Sequence, residues 1–221
     1  MSLLLALDAS GPAISVAVMR DGILLAHHRE ALARGHAERL PPALAATMAA
    51  SGCDFAALDA IAVTIGPGSF TGIRVGLAAA RGLGFALHRP VLGITTLAAV
   101  VHGLDEAERA GRPVLALIDS KRADVFAQRF AGDLAPLDAP QAVPVAAVAH
   151  LARPPLIVTG DAATLIAPRD GIVLAPAAPD ARIVAALAAA GWARGDPLPA
   201  APLYLRPPDA TLPVAGGRLR Q

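Results

Sequence analysis

The sequence predicts a mixed α/β protein built as two related halves in tandem. Short apolar runs rich in β-branched residues, each closed by a turn signal, read as buried strands alternating with helical stretches. One such strand, Ile61-Ala62-Val63-Thr64-Ile65, runs through a glycine-rich loop into a long helical pattern from Phe70 to Leu87. A third sign is internal similarity. Leu3–Leu7 followed by Asp8-Ala9-Ser10 is matched by Val114–Ile118 followed by Asp119-Ser120, and each is followed by another strand, Ile14–Met19 or Val125–Phe130. This reads as a duplicated supersecondary unit.

Taken in order, residues 3–8 form a first strand, turned by Ser10-Gly11-Pro12. Ile14, Val16 and Val18 alternate with Ser15 and Ala17 as a second strand. Arg20-Asp21-Gly22 is a hairpin turn into a third strand from Ile23 to about Glu30. His27 and His28 are adjacent in that strand, face opposite sides and make a poor metal-ligand pair. A helix led in by His36 ends at Ser51-Gly52, with Pro41 and Pro42 in its first turn or at a kink. Leu40, Leu44 and Met48 form its apolar stripe. His36 reads as a solvated or capping side chain. After the strand–loop–helix unit come a strand at 91–94 and a helix over 97–110. The second half follows, with Pro-rich connections, strands at 156–159 and 172–174, and an Ala-rich helix from about Asp180 to Arg194. The predicted units are 1–100 and a reduced 101–206, with a polar, Gly/Pro-rich and loose tail over 207–221.

Composition bounds the function. The chain has 221 residues, 55% hydrophobic but only 3% aromatic, with a net charge of +1, which gives no electrostatic case for autonomous nucleic-acid binding. No uninterrupted apolar run approaches the ~20 residues of a membrane helix, so no membrane partner is expected. The first strand has no basic segment ahead of it and is cut by Asp8, a poor signal peptide. Cys53 is the single cysteine and fits a reducing, cytoplasmic setting as an inert small residue.

The stretch Gly66-Pro67-Gly68-Ser69-Phe70-Thr71-Gly72-Ile73-Arg74-Val75-Gly76 carries the strongest signal. Gly66 and Gly68 permit turn angles closed to other residues. Ser69 is the expected N-cap, with Thr71 the other candidate. Gly72, Gly76, Ala80 and Gly84 recur every four residues as a side-chain-poor ridge. Glycine costs ~1 kcal/mol relative to alanine inside a helix, so the ridge wants close approach of another backbone. Packing inside the fold is the plain reading, and a helix–helix contact with a second chain is the sharper one. Beside the ridge, Ile73 and Leu77 are apolar and Arg74 and Arg81 share a face. The loop also suits an anion at a helix start. Against that, no Gly-Lys-Ser/Thr follows it, and the next strand ends in Thr95-Thr96 where a dinucleotide fold would want an acid.

These motifs together resemble the TsaB (YeaZ) family of bacterial proteins. The resemblance rests on Asp8-Ala9-Ser10, the lead-in from His36 to Pro41, Ile65 through Gly76, Ile118 through Arg122, and Leu203-Tyr204-Leu205-Arg206. It runs in order from residue 1 to about 206. It implies the actin-like, Hsp70-like ATPase fold of the ribonuclease H-like class, two tandem βββαβα domains with the second reduced. It implies a role in forming threonylcarbamoyladenosine at position 37 of tRNAs that read codons starting with A. There the family acts as a non-catalytic subunit that dimerises with and supports the paralogue TsaD, with the ATPase TsaE joining through the complex. Contact with tRNA would be indirect or within the complex, and the isolated chain would pair with itself. The paralogue's His-Leu-Glu-Gly-His metal motif is Thr96-Leu97-Ala98-Ala99-Val100 here, so both ligand positions are lost and no metal is expected. Expected interface residues are Leu40, Leu44, Met48, Ile73 and Leu77 as anchors, Gly72, Gly76 and Ala80 as ridge, and Arg74 and Arg81 as rim charges. The alternative is a nucleotide-binding or ATP-hydrolysing enzyme, for which Asp8, Ser10, Gly66, Gly68 and Asp119 are the phosphate-facing candidates. Asp8 and Asp119 lack the glycine clusters that would cradle phosphate, so no tightly bound cofactor is expected and nucleotide would bind only weakly or within the complex.

Overall fold

Strict alternation along the opening strands sends their side chains to two different layers, and that decides the architecture. The computed structural model describes residues 2–206; the expectation of a loose tail over 207–221 lies outside the described residues. The first half comprises β1 (Leu3–Gly11), β2 (Ala13–Arg20), β3 (Ile23–Ala31), α1 (His36–Ser51), β4 (Ala60–Gly66), α2 (Phe70–Leu87), β5 (Val91–Thr95) and α3 (Thr96–His102). The short α4 (Glu106–Arg109) leads to β6 (Val114–Asp119), β7 (Asp124–Phe130), β8 (Gln141–Pro144), α5 (Val148–Leu151), β9 (Leu156–Thr159) and β10 (Ile172–Ala175). The chain then runs through α6 (Ala181–Ala193) into β11 (Leu198–Pro199).

β1 pairs antiparallel with β2 and parallel with β4, and β2 and β4 extend the sheet to β3 and β5. The second sheet repeats this pattern. β6 pairs antiparallel with β7 and parallel with β9, with β8 and β10 outside them. The orders β5-β4-β1-β2-β3 and β10-β9-β6-β7-β8 are therefore the same walk, and the expected tandem duplication is present with three leading strands in each half. The second copy is reduced where helices should cross over. Where the first half has α1 and α2, the second has only α5 with a single turn at 145–147, and another single turn at 163–165.

Packing follows the alternation. Leu5, Leu7, Val16, Val18, Ile61 and Val63 face α1 and α2, meeting Leu40, Leu44, Met48, Ile73, Leu77 and Ala80. The opposite face, with Leu4, Ala6, Ala17, Ala60 and Ala62, is covered by Ala181, Val184, Ala185 and Ala188 of α6. In the second half, Val114, Ala116, Ile118 and Phe126 pack against Leu97, Val100 and Val101 of α3. Each half thus sends its last helix onto the other half's sheet.

Two expectations are corrected. The helix over 97–110 is two helices, because Gly103 ends α3 and the Asp105 side chain accepts the Ala107 amide to start α4. The unit 101–206 also loses its end to the first half. α6 covers the first sheet and β11 pairs with β5, since the small Ala face of α6 fits the small residues Ala6, Ala17 and Ala62. By length and apolarity α2, at 18 residues, is the one described helix that could cross a membrane. One of its faces is packed on the first sheet and it carries two arginines.

Candidate functional site

Two surfaces converge on the start of α2: a cleft between the halves and an outer face made by α1 and α2. The glycine-rich loop sits at the end of β4. Gly66 has φ +105°, a left-handed conformation, and a Cβ on Gly68 would collide with the Ser10 carbonyl oxygen. Ser69 is the N-cap, its Oγ accepting the Gly72 amide at 3.2 Å, and the Ser69 amide donates to Ser10 O at 2.8 Å. Two of the amides that an anion would use, those of Ser69 and Gly72, are therefore spent inside the protein.

The ridge faces inward. A Cβ on Gly72 would collide with the Ala9 carbonyl oxygen and one on Gly84 with Val91; Gly76 sits over Val63 and Ala9, and Ala80 is fully buried. Gly72, Gly76 and Ala80 thus let α2 lie close on its own β1 and β4, which corrects their assignment to a partner interface. Leu40, Leu44, Met48, Ile73 and Leu77 are corrected too, because all five are buried against the first sheet. An amphipathic helix turns its larger apolar stripe to the largest apolar surface within reach, which is its own sheet.

Asp8 does not face an open site. It is buried towards the end of β1, where its Oδ1 accepts from Ser10 N, Ser10 Oγ and Thr64 Oγ1 at 3.1, 2.7 and 2.7 Å and its Oδ2 has no hydrogen-bond partner among the described residues. Burial raises its pKa against those lowering hydrogen bonds. Ser10 is buried and spends its hydroxyl on Asp8, while Gly66 is buried and Gly68 packs on Ser10. Asp8 and Gly66 are thus turned into the fold, whereas Ser10 and Gly68 line the cleft between the halves.

Asp119 does reach the cleft. This cleft of about 970 Å³ lies between the carboxyl ends of both sheets, with Pro12, Phe70, Ile118, Phe126 and Leu203 as apolar walls and His36, Arg122, Asp161 and Arg206 among its polar lining. Lys121 closes over Asp119, its amide and Nζ reaching Oδ1 and Oδ2 at 2.6 and 2.8 Å. Burial pushes the Asp119 pKa up, but those two donors outweigh it and the net shift is downward. Asp161 accepts the Asp119 amide at 2.8 Å and is raised, chiefly by burial. His36 donates Nε2–H to the Gly11 carbonyl at 3.0 Å, tying the start of α1 to the end of β1 instead of capping the helix or standing in solvent. Thr96 and Val100 are buried in α3.

Arg74 and Arg81 are exposed but tied down. The Arg74 guanidinium lies 3.5 Å over the Phe70 ring and donates to the Tyr204 hydroxyl at 3.0 Å. Arg81 donates twice to Ala200 O. Their acceptors belong to a strap over 198–206 that follows β11 along α2, where the Leu203 amide reaches Ile65 O at 2.8 Å. Arg206 ends the strap in an ion pair with Asp124 of β7.

The outer face of α1 and α2 is the exposed apolar surface. α1 turns Pro41, Pro42, Ala45, Ala46, Ala49 and Ala50 outward and has no charge after Arg39; α2 turns out Ala78, Gly82, Phe85 and Ala86. The chain has one tryptophan, one tyrosine and five phenylalanines, yet Phe70, Phe85 and Tyr204 are all exposed along α2 and its strap, Phe85 at 83%. Sequence reasoning missed Phe85 and Tyr204. Phe85 falls on the helix position after the ridge residue Gly84, hence off the buried stripe, which was a readable signal; Tyr204 reaches α2 only through the strap.

Comparison with known proteins places this geometry. The family model described as TsaD, tRNA N6-adenosine threonylcarbamoyltransferase, matches residues 28–162. An uncharacterized protein of Mycobacterium tuberculosis is 35% identical over 218 residues, covering 95% of this chain and 94% of that one. The tRNA threonylcarbamoyladenosine biosynthesis protein TsaB of Escherichia coli is 35% identical over 130 residues, covering 59% of this chain and 55% of that protein. The solved structure of YeaZ from Pseudomonas aeruginosa superposes with a TM-score of 0.81 at 32% identity, covering 93% of this chain and all of that one.

Proposed function

This chain belongs to the TsaB (YeaZ) family, and from that membership we propose that it serves the formation of N6-threonylcarbamoyladenosine in tRNA as a non-catalytic subunit. It docks a TsaD-type threonylcarbamoyltransferase through the outer face of α1 and α2, in the cytoplasm, with a TsaE-type ATPase and tRNA meeting it through the complex. The observation that carries the reading is the exposed face of α1, uncharged after Arg39, together with the exposed Phe85 of α2, on a protein with few aromatic residues to spare. Exposed aromatics within an apolar patch are the usual anchors of a protein interface. A paralogue with the same first half would present an equivalent helix pair, giving a pseudo-symmetric four-helix contact, and the same face can pair with a second copy of this chain.

The non-catalytic part is supported by where the reactive groups sit. Asp8 is walled in by Ser10 and Thr64, Asp119 is covered by Lys121, and the Ser69 amide is engaged by Ser10. Thr96 and Val100 offer no strong metal ligand. The runner-up, a nucleotide-binding or ATP-hydrolysing enzyme, draws on the cleft alone. Co-expression with a TsaD homologue decides between them. Stoichiometric co-purification is expected, with no ATP turnover by the isolated chain; absence of a complex together with ATP hydrolysis would reverse the reading.

A further inference from the structure

We infer that the cleft between the halves is a site for a small organic monoanion, independently of the docking reading above. The ligand it suits has an apolar, planar body and one carboxylate, which pairs with the Arg74 guanidinium. At about 970 Å³ the cleft has the size of a small-molecule site, and Pro12, Phe70, Ile118, Phe126 and Leu203 make its walls apolar. Four cations line it: Arg74, Lys121, Arg122 and Arg206. Lys121 is answered by Asp119 and Arg206 by Asp124, and Arg122 is engaged as well. Arg74 meets no carboxylate among the described residues. Its one hydrogen bond there goes to the neutral Tyr204 hydroxyl, at 3.0 Å.

The guanidinium is nevertheless mounted firmly. It lies 3.5 Å over the Phe70 ring and 5.8 Å from the Tyr204 ring centroid, and it spends only Nε on the Tyr204 hydroxyl. Nη1 and Nη2 have no hydrogen-bond partner among the described residues. Two such donors in one plane are what a carboxylate accepts bidentately. Stacking on Phe70 fixes that plane without removing the charge, so little ordering remains to be done when a ligand arrives. Phe70 and Tyr204 are exposed, with ring centroids 5.6 Å apart, and offer a planar body something to pack on. Charge selects a monoanion over a polyphosphate. The Ser69 and Gly72 amides are already engaged, and the carboxylates of Asp119 and Asp161 share the lining, where they repel further negative charge.

Calorimetric titration of the full chain with naphthoate, and with naphthamide as its uncharged analogue, tests the site. Naphthoate is expected to bind one-to-one with a Kd on the order of a millimolar or below, and more tightly than naphthamide. Arg74→Gln should weaken naphthoate roughly 5- to 50-fold by removing a charge-assisted pair, and should leave naphthamide within about twofold. Arg74→Lys keeps the charge but not the planar fork, and should fall between wild type and Arg74→Gln. Ala33 is an exposed residue of the cleft lining, so Ala33→Trp should weaken both ligands by filling their space. Thermal melting checks that each variant folds; should Arg74→Gln fail to fold, Arg74→Lys and Ala33→Trp decide. Equal binding of the two ligands, indifference of naphthoate to Arg74→Gln or to Ala33→Trp, or no saturable binding overturns the inference. Displacement of naphthoate by inorganic phosphate at equal concentration overturns it as well. Displacement by ATP with magnesium, undiminished in Arg74→Gln, would overturn it in favour of the nucleotide-binding runner-up.

Discussion

Gly72 and Gly82 stand ten positions apart on α2 and respond oppositely to a methyl group. A Cβ at Gly72 collides with the Ala9 carbonyl, whereas one at Gly82 meets nothing within 4 Å. Gly72→Ala should therefore destabilise by about 1–3 kcal/mol through overpacking. Gly82→Ala should stabilise by up to ~1 kcal/mol through helix propensity, raising Tm by roughly 2–4 °C for a chain of this size. Calorimetry of both variants checks the orientation of the helix; a tolerated Gly72→Ala would mean that α2 is not seated on β1. Asp8 gives a pH signature. Its folded pKa is raised above 3.8, mainly by burial, so the stability it contributes is present at low pH and is lost as pH rises through the folded value. Asp8→Asn keeps an acceptor for Ser10 and Thr64 and cannot ionise. The Tm of the variant relative to wild type should climb as pH is raised from about 4 toward neutrality, whereas a flat difference would mean that Asp8 is not a buried carboxyl.

At the scale of elements, α2 does two jobs on two faces. Its ridge and Ile73 and Leu77 hold it to the sheet, while Ala78, Gly82, Phe85 and Ala86 look outward. Truncating Phe85 to alanine removes an 83% exposed side chain, so melting should move by no more than about 0.5 kcal/mol. Binding of a TsaD homologue, measured by calorimetric titration, should weaken by roughly 30-fold or more if Phe85 is an interface anchor worth about 2 kcal/mol. Unchanged affinity would remove the α2 face from the interface.

Across the whole molecule, the exchange of last helices makes the halves interdependent. The first sheet has its inner face covered by α6, which comes from beyond β10. A fragment of residues 1–104 would leave Leu4, Ala6, Ala17, Ala60 and Leu92 without that cover. It should fail to melt cooperatively, and grafting residues 178–206 back through a Gly/Ser linker should restore a sharp transition in circular dichroism. A fragment that melts like the intact chain would mean that α6 contributes little to the first half.

Much of this was legible in the chain itself. The period-2 strands, the Ser69 cap, the Gly52 stop and the Asp8/Asp119 echo depend on neighbours a few residues away or on comparing two stretches directly, and local sterics and alternation settle them. Arg74 and Arg81 were visible as a pair on one face. What covers an apolar stripe was not visible, because an amphipathic helix reads the same whether its stripe meets its own sheet or a partner. The structure turned Leu40, Leu44, Met48, Ile73 and Leu77 inward because the odd-numbered side chains of β1 and β4 offered a larger apolar surface than the helices leave outside. Nor could residue spacing show that α6 crosses to the first sheet or that Tyr204 reaches Arg74. Those contacts join positions more than 100 residues apart, and chain connectivity and the fit of small residues on facing surfaces select them, which only the folded molecule displays.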